Sequence, residues 1–438
     1  MKAKKFISLV VTAALMVSLS ACGSNATKNS TDTKPTSAVA ADLKGEITVW
    51  SWNVAAKSLK IAATNFQTKY PNTKVTVVDG GNNTQVYDKL LTGLASKTGL
   101  PDVVSVEGDH IPTYVSKFPD GFVDLTSTIS PISKDFIPAK VGECTVGGKI
   151  MAFPWDAAPS GLFYRTDIFK AAGVDAASIK TWDDYIAAGK KVVASTSGKV
   201  KMIPIDMKGD DPMYRQFMNQ LGSFYFDKDG KTILNGPESI KAMTLEKNMN
   251  DAGIAYNNDG WDSLVTATKT GLIASVPFGV WWSGTLQDQC KDSSGKWAVI
   301  PLPSFDGVTN TAAALGGSSV MVPSTTKNKD LAVAFSNFAM TDKASVMAGF
   351  TQFGLYPSYI PTYADPIFAQ GVDFFGGQKV WQVFADIAKN MPTMNFTENY
   401  AETHTSVVNA QAKILLNKGD VKMTMDALQK EVSGKFGK

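Results

Sequence analysis

An α/β fold of open, mostly parallel sheets, shared between two domains, is what this sequence predicts, and three observations predict it. The first is alternation: between residues 45 and 107 strand-like and helix-like patterns follow one another as βαβαβ. The second is length, since about 395 residues follow an N-terminal segment of unpromising composition, more than a single core usually organises. The third is a renewed α/β pattern beyond residue 155, after which helical periodicities outnumber strands.

In order, GEITVWSW is a β-branched run of period two, and Leu59, Ala62, Ala63, Phe66 and Tyr70 then fall at helical spacing until Pro71 stops them. KVTVVD predicts the second strand. Val86, Leu90 and Leu94 share one helical face, and after Gly99-Leu100-Pro101 the run DVVSVE is apolar on both faces, as parallel strands are. Thr181 is placed to cap a helix whose inward face is Trp182, Tyr185, Ile186 and Gly189. The rest carries helical patterns at 330–338, 379–389, 403–416 and 421–432, with apolar runs in IASVPFGVW, WAVIPLP and SSVMVP and no internal repeat. Ligands of such sheets bind outside the carboxyl ends of the strands.

The N-terminus predicts export. Lys2, Lys4 and Lys5 precede an apolar run of about 14 residues from Phe6 to Leu19, too short for the roughly 20 residues that span a bilayer. Leu19-Ser20-Ala21-Cys22 resembles a lipobox, with 1–21 the signal peptide and Cys22 the lipid acceptor. Residues 23–42, GSNATKNSTDTKPTSAVAAD, hold few large apolar groups, so 22–44 reads as a flexible tether to the outer face of the cell membrane.

The chain has 43 basic and 40 acidic residues; loss of the three leader lysines leaves the two balanced, with no electrostatic footprint for nucleic acid. Beyond Cys22, Cys144 and Cys290 are too few for a disulfide framework, although export would allow them to pair. With only His110 and His404 and no metal-ligand spacing motif, neither a metal nor another cofactor is expected.

Tryptophans gather at strand ends and turns. Trp50 and Trp52 close the first strand, Trp155 follows Pro154, and Trp281 and Trp282 follow Gly279. Trp50 reads as core. Trp52 beside Asn53, Trp155 beside Asp156, and Trp282 beside Ser283 pair flat apolar rings with fixed polar groups, which suits a pyranose with its apolar face and hydroxyl rim. Asp109, next to His110, and Asp156 read either as ligand groups or as helix caps.

Taken in order, ITVWSW, YPNTKVTV, LPDVVSVEGD, GKIMAFPWDAAPSGLFYRTDIF, TWDDY, GVWWSGTL, WAVIPLP, GGSSVMVP and DLAVAFSNF resemble the carbohydrate-binding lipoproteins of ABC importers, the solute-binding proteins related to maltose-binding protein. The likeness runs through nearly the whole mature chain. It implies a two-lobed, periplasmic-binding-protein-like fold of type II: lobe 1 from 45–154 plus 313–357, and lobe 2 from 155–312 plus 358–438, closing about a hinge on a sugar. It also implies a monomer that delivers the sugar to membrane permease subunits with an associated ATPase. Carried over residue by residue, the sugar contacts are Trp52 and Asn53; Asp109 and His110, the latter where an arginine is usual; Trp155 and Asp156; Asp211 and Arg215; Trp281 as a stacking platform; and Tyr400.

Arg165 and Arg215 are the only arginines, and Arg165 reads as half of a structural pair with a carboxylate. Two alternatives remain. A lipid-anchored glycoside hydrolase would need two carboxylates about 5 to 9.5 Å apart, and no segment isolates such a pair. A receptor for a non-sugar solute such as an anion would want a Gly/Ser/Thr loop opening a helix. GGSS at 316–319 is the only near candidate, and it runs into an apolar strand instead.

Overall fold

The computed structural model describes residues 43–436. The signal-peptide, Cys22 and tether readings lie outside the described residues, apart from the last two positions of the tether.

The first sheet has five strands in the order Thr73–Asp79, Gly45–Ser51, Val103–Glu107, Ser318–Met321, Phe153–Pro154. The first three are parallel, with Val49 opposite both Val77 and Val103. The helix Asn53–Lys69 buries Leu59, Ala62, Ala63 and Phe66 against this sheet, and Asn83–Ser96 buries Val86, Leu90 and Leu94. The strand 318–321 arrives from the other half of the molecule and so runs antiparallel to both its neighbours.

The second sheet differs in direction. Ser160–Arg165 lies between Ser275–Gly279 and Trp297–Pro301 and is antiparallel to both, while the short pair Ile203–Ile205 and Ala255–Asn257 is parallel. The two-lobed α/β class therefore holds with mixed strand directions. Thr181 caps the helix Trp182–Ser195 in a capping box with Asp184, and Trp182, Tyr185 and Gly189 face inward while Ile186 is half-buried.

Two separate apolar cores result. The smaller packs the first sheet and its helices, from Ile47 to Trp155 and from Val320 to Met340. The larger takes in Ala157 to Leu315 and most of the chain beyond Met347. Met347, Phe350 and Tyr356, expected in lobe 1, pack in this larger core; the helix Lys343–Phe353, which carries the first two, also lies against Asn53–Lys69 of the smaller one. Cys144 is buried in the smaller core and Cys290 in the larger, and both are free thiols. Arg165 forms the expected carboxylate pair, a fork on Asp167 with Nε and Nη2 at 2.8 and 2.6 Å. No helix among the described residues is long and apolar enough to cross a membrane.

Between the cores three chain segments run side by side. Ala157 N–H donates to the Tyr356 carbonyl, Ser358 N–H to that of Trp155, Leu315 N–H to that of Ala158, and Ser160 N–H to that of Ala313. Residues 316–319, weighed above as an anion loop, are part of this crossing and lead into the strand.

Candidate functional site

One wall of the candidate site is the turn after Val103–Glu107. Asp109 does not cap the following helix Ile111–Lys117; its Oδ1 lies 2.6 Å from His110 Nδ1. The His110 ring stacks on Tyr87 with centroids 4.1 Å apart, and Trp52 meets Tyr87 edge-on at 5.6 Å. Tyr87 donates its hydroxyl proton to Glu107 Oε2 and accepts from the Glu107 N–H, both at 3.0 Å. Burial raises the Asp109 pKa, but the His110 bond and the charges of His110 and Arg215 outweigh it and hold the carboxyl below its usual range. Glu107 moves the other way, pushed up by burial and by Asp109. Asn53 begins its helix at φ 37°, a left-handed conformation that asparagine tolerates, with its N–H on Asp79 Oδ1 at 3.0 Å.

The opposite wall is the start of the helix Pro212–Gln220. Asp211 is fully buried, and its Oδ1 takes Arg215 Nε at 2.8 Å and His404 Nε2 at 3.0 Å; its Oδ2 accepts from the Tyr225 hydroxyl. Asp210 Oδ1 holds the same two cations, at 2.8 and 2.9 Å. Arg215 Nη1 also donates to the Tyr400 hydroxyl at 3.2 Å, and Tyr400 stacks among Phe224, Tyr225 and His404. Two carboxylates thus fix one guanidinium, whose charge reaches Asp109 on the other wall. Thr113 Oγ1, 3.4 Å from the Glu398 carbonyl oxygen, joins the walls.

His404 titrates at about 9: burial opposes its charge, but the bonds to Asp210 and Asp211 outweigh that cost. A free histidine titrates near 6.5, so this stabilisation is complete below about pH 6.5 and is lost as pH rises through 9. His404→Gln is expected to lower the unfolding free energy by on the order of 2 kcal/mol at about pH 6 and by much less at about pH 10. Urea unfolding at the two pH values checks this, and an equal deficit at both would contradict it.

Two clusters, Glu107/Asp109/His110 and Asp210/Asp211/His404, each bring three potential metal ligands within 4.8 Å. In the second, the Arg215 cation already occupies the carboxylate oxygens; in the first, His110 Nδ1 is taken by Asp109.

Trp281 follows the strand Ser275–Gly279. Its Nε1 donates to the Leu315 carbonyl at 2.8 Å, and its ring lines a cavity of about 1410 Å³ with Val54, Lys57, Trp261 and Phe350. Trp155 and Asp156 are each only 7% exposed. Asp156 is no helix cap: its Oδ1 accepts from the Ser318 N–H at 2.7 Å, within the crossing. The ten expected residues thus fall into four places: Trp52, Asn53, Asp109 and His110 on one wall; Asp211, Arg215 and Tyr400 on the other; Trp281 at the cavity; Trp155 and Asp156 between the cores. Sequence reading missed Tyr87, Glu107, Asp210, Tyr225, His404 and Trp261. The doubled aspartate of GDD and the isolated His404 were the available signals.

A two-lobed α/β fold with polar groups converging from both lobes defines a class of proteins that enclose a ligand. The chain belongs to the bacterial extracellular solute-binding protein family, which it matches over residues 30–346. It is 32% identical to a lactose-binding protein of Rhizobium radiobacter over 401 residues, 90% of this chain and 93% of that one. An arabinooligosaccharide-binding protein of Bacillus subtilis is 27% identical over 375 residues, covering 82% and 84%. Among solved structures, the ABC transporter associated binding protein of B. animalis subsp. lactis Bl-04 in complex with beta-1,6-galactobiose superposes with a TM-score of 0.73 at 26% identity, covering 90% of this chain and 98% of that one.

Proposed function

We propose that this chain is the sugar receptor of an ABC importer, which encloses a di- or oligosaccharide between its lobes and presents it to a membrane permease. The observation that carries the reading is the facing pair of walls, where Arg215, locked by Asp210 and Asp211, stands opposite Asp109 and His110. Fixed charged donors and acceptors suit hydroxyl groups, and Trp281 offers an apolar ring at the cavity it lines. The relatives named for lactose and arabinooligosaccharides and the galactobiose complex support a carbohydrate ligand.

On this reading Asp109, His110, Asn53, Arg215 and Trp281 contact the sugar, while Trp52, Trp155, Asp156, Asp211 and Tyr400, all buried, hold the contacting groups in place. The lobes turn about the three crossing segments, no bond is made or broken, and the protein works as a monomer held at the membrane by lipid on Cys22.

The test is intrinsic tryptophan fluorescence of a chain lacking residues 1–22, titrated with lactose, arabinooligosaccharides, β-1,6-galactobiose and their monosaccharides, with the sugars recovered and analysed. A saturable change with the sugar unaltered is the expected result. No response to any sugar would point to another solute class, and shortened sugars would point to a hydrolase.

A further inference from the structure

Trp261 is the only aromatic among the exposed large apolar side chains of the described residues, with 49% of its surface open. The helix that carries it, Gly260–Lys269, turns Leu264, Ala267 and Thr268 into the core, and Trp261 extends that face by one turn, beyond the core and onto the cavity that Trp281 lines. The indole is nevertheless held in place. It meets the fully buried Trp282 edge-on, with centroids 5.4 Å apart and planes at 90°, and lies 5.9 Å from Trp281 at a tilt of 39°.

The start of this helix is equally fixed. Gly260, at φ +74°, donates its N–H to Oδ2 of the buried Asp206 at 3.1 Å, and Asp206 Oδ1 also takes the Gly209 N–H at 2.7 Å. Half of this fixed ring packs on Trp281 and Trp282 and half faces water, so an apolar face stands ready for a ligand.

We infer that Trp261 is a specificity-determining residue: with Trp281 it forms a bent two-ring shelf that selects sugars of two or more units over monosaccharides. The inference rests on the sugar-receptor reading above. The two indole centroids are spaced on the scale of successive rings in a linear oligosaccharide, and the tilt suits a chain that turns between units. The cavity exceeds the roughly 300–1,000 Å³ of an ordinary small-molecule pocket, leaving room beyond a single ring. Asp262, Thr266, Gln287 and Gln352 around the shelf supply hydrogen-bonding groups for the hydroxyl rim.

The test titrates the wild type, Trp261→Ala and Trp261→Phe with two length series, galactose with lactose, and arabinose with arabinobiose and arabinotriose, following the heat of binding. For Trp261→Ala, affinity for lactose or for the arabinooligosaccharides is expected to fall about tenfold while that for the monosaccharides stays within about twofold, with Trp261→Phe in between. Circular dichroism melting of each variant shows whether the fold is intact; the tilted ring retained in Trp261→Phe keeps the length comparison available if the alanine variant is unstable. Unchanged binding of the longer sugars, an equal loss at every length, or a wild type that takes only monosaccharides would overturn the inference while leaving a sugar receptor. A wild type that binds no sugar in the panel would overturn that reading, and this one with it.

Discussion

Lys140→Ala is expected to cost about 3–5 kcal/mol of stability at neutral pH, because it strips the cation from a buried charge cluster. Lys140 is 1% exposed, and its Nζ is 3.0 Å from Oε2 of Glu143, itself 2% exposed. Burial raises the carboxyl pKa of Glu143 and of Asp156, and the Lys140 charge partly offsets this in both. Without the cation their pKa values climb further. A carboxyl with a raised native pKa is not penalised below its unfolded value and loses stability as pH rises through the native one. The deficit of Lys140→Ala should therefore be large at about pH 7 and much smaller near pH 4.5, as read by urea unfolding at both. Removing Glu143 as well, in Lys140→Met with Glu143→Leu, should recover part of the loss; a double variant no better than the single one would contradict this account.

Gly317→Ala is expected to cost about 3 kcal/mol, by strain and by crowding together. Gly317 sits at φ +107°, and a Cβ there would stand 2.8 Å from the Asp156 carbonyl oxygen and 3.1 Å from Lys140 Nζ. The first of these atoms is backbone in a crossing segment and cannot move aside cheaply. Gly316, at φ +89°, offers a contrast: its Cβ would meet only Trp281 Nε1, at 3.5 Å, so Gly316→Ala should cost clearly less. Equal thermal-melt losses in the two variants would mean that backbone conformation alone, and not the approach to Asp156, sets the cost.

What could be read locally was read well. The strands at 45–51, 73–79 and 103–107 and the helices between them follow from alternation and period, since each element and its neighbour are adjacent in sequence. The pairing of 318–321 with 103–107 joins residues more than 200 apart, and the antiparallel second sheet likewise brings 160–165 to 275–279 and 297–301; no local pattern encodes either. The site divides in the same way. Trp281 stands after a glycine at a strand end, and its ring lines a cavity. Trp155 and Asp156 stand in a similar position, yet the partner that draws Asp156 inward is Ser318, 162 residues away. Tyr87 was hidden beside the helical stripe of Val86, Leu90 and Leu94, and His404 gains its meaning only when the fold sets it against Asp210, 194 residues distant.

The two free thiols sit one in each core, and this gives the molecule an internal pair of clocks. Burial raises the Cys144 thiol to about 11 and lifts that of Cys290 as well, so neither reacts readily until its own core opens. Modification of Cys144 then times the exposure of the smaller core, and modification of Cys290 that of the larger. In a chain truncated to lack residues 1–22, a single labelling experiment with the sites separated by mass distinguishes one cooperative unfolding unit from two lobes that come apart in turn.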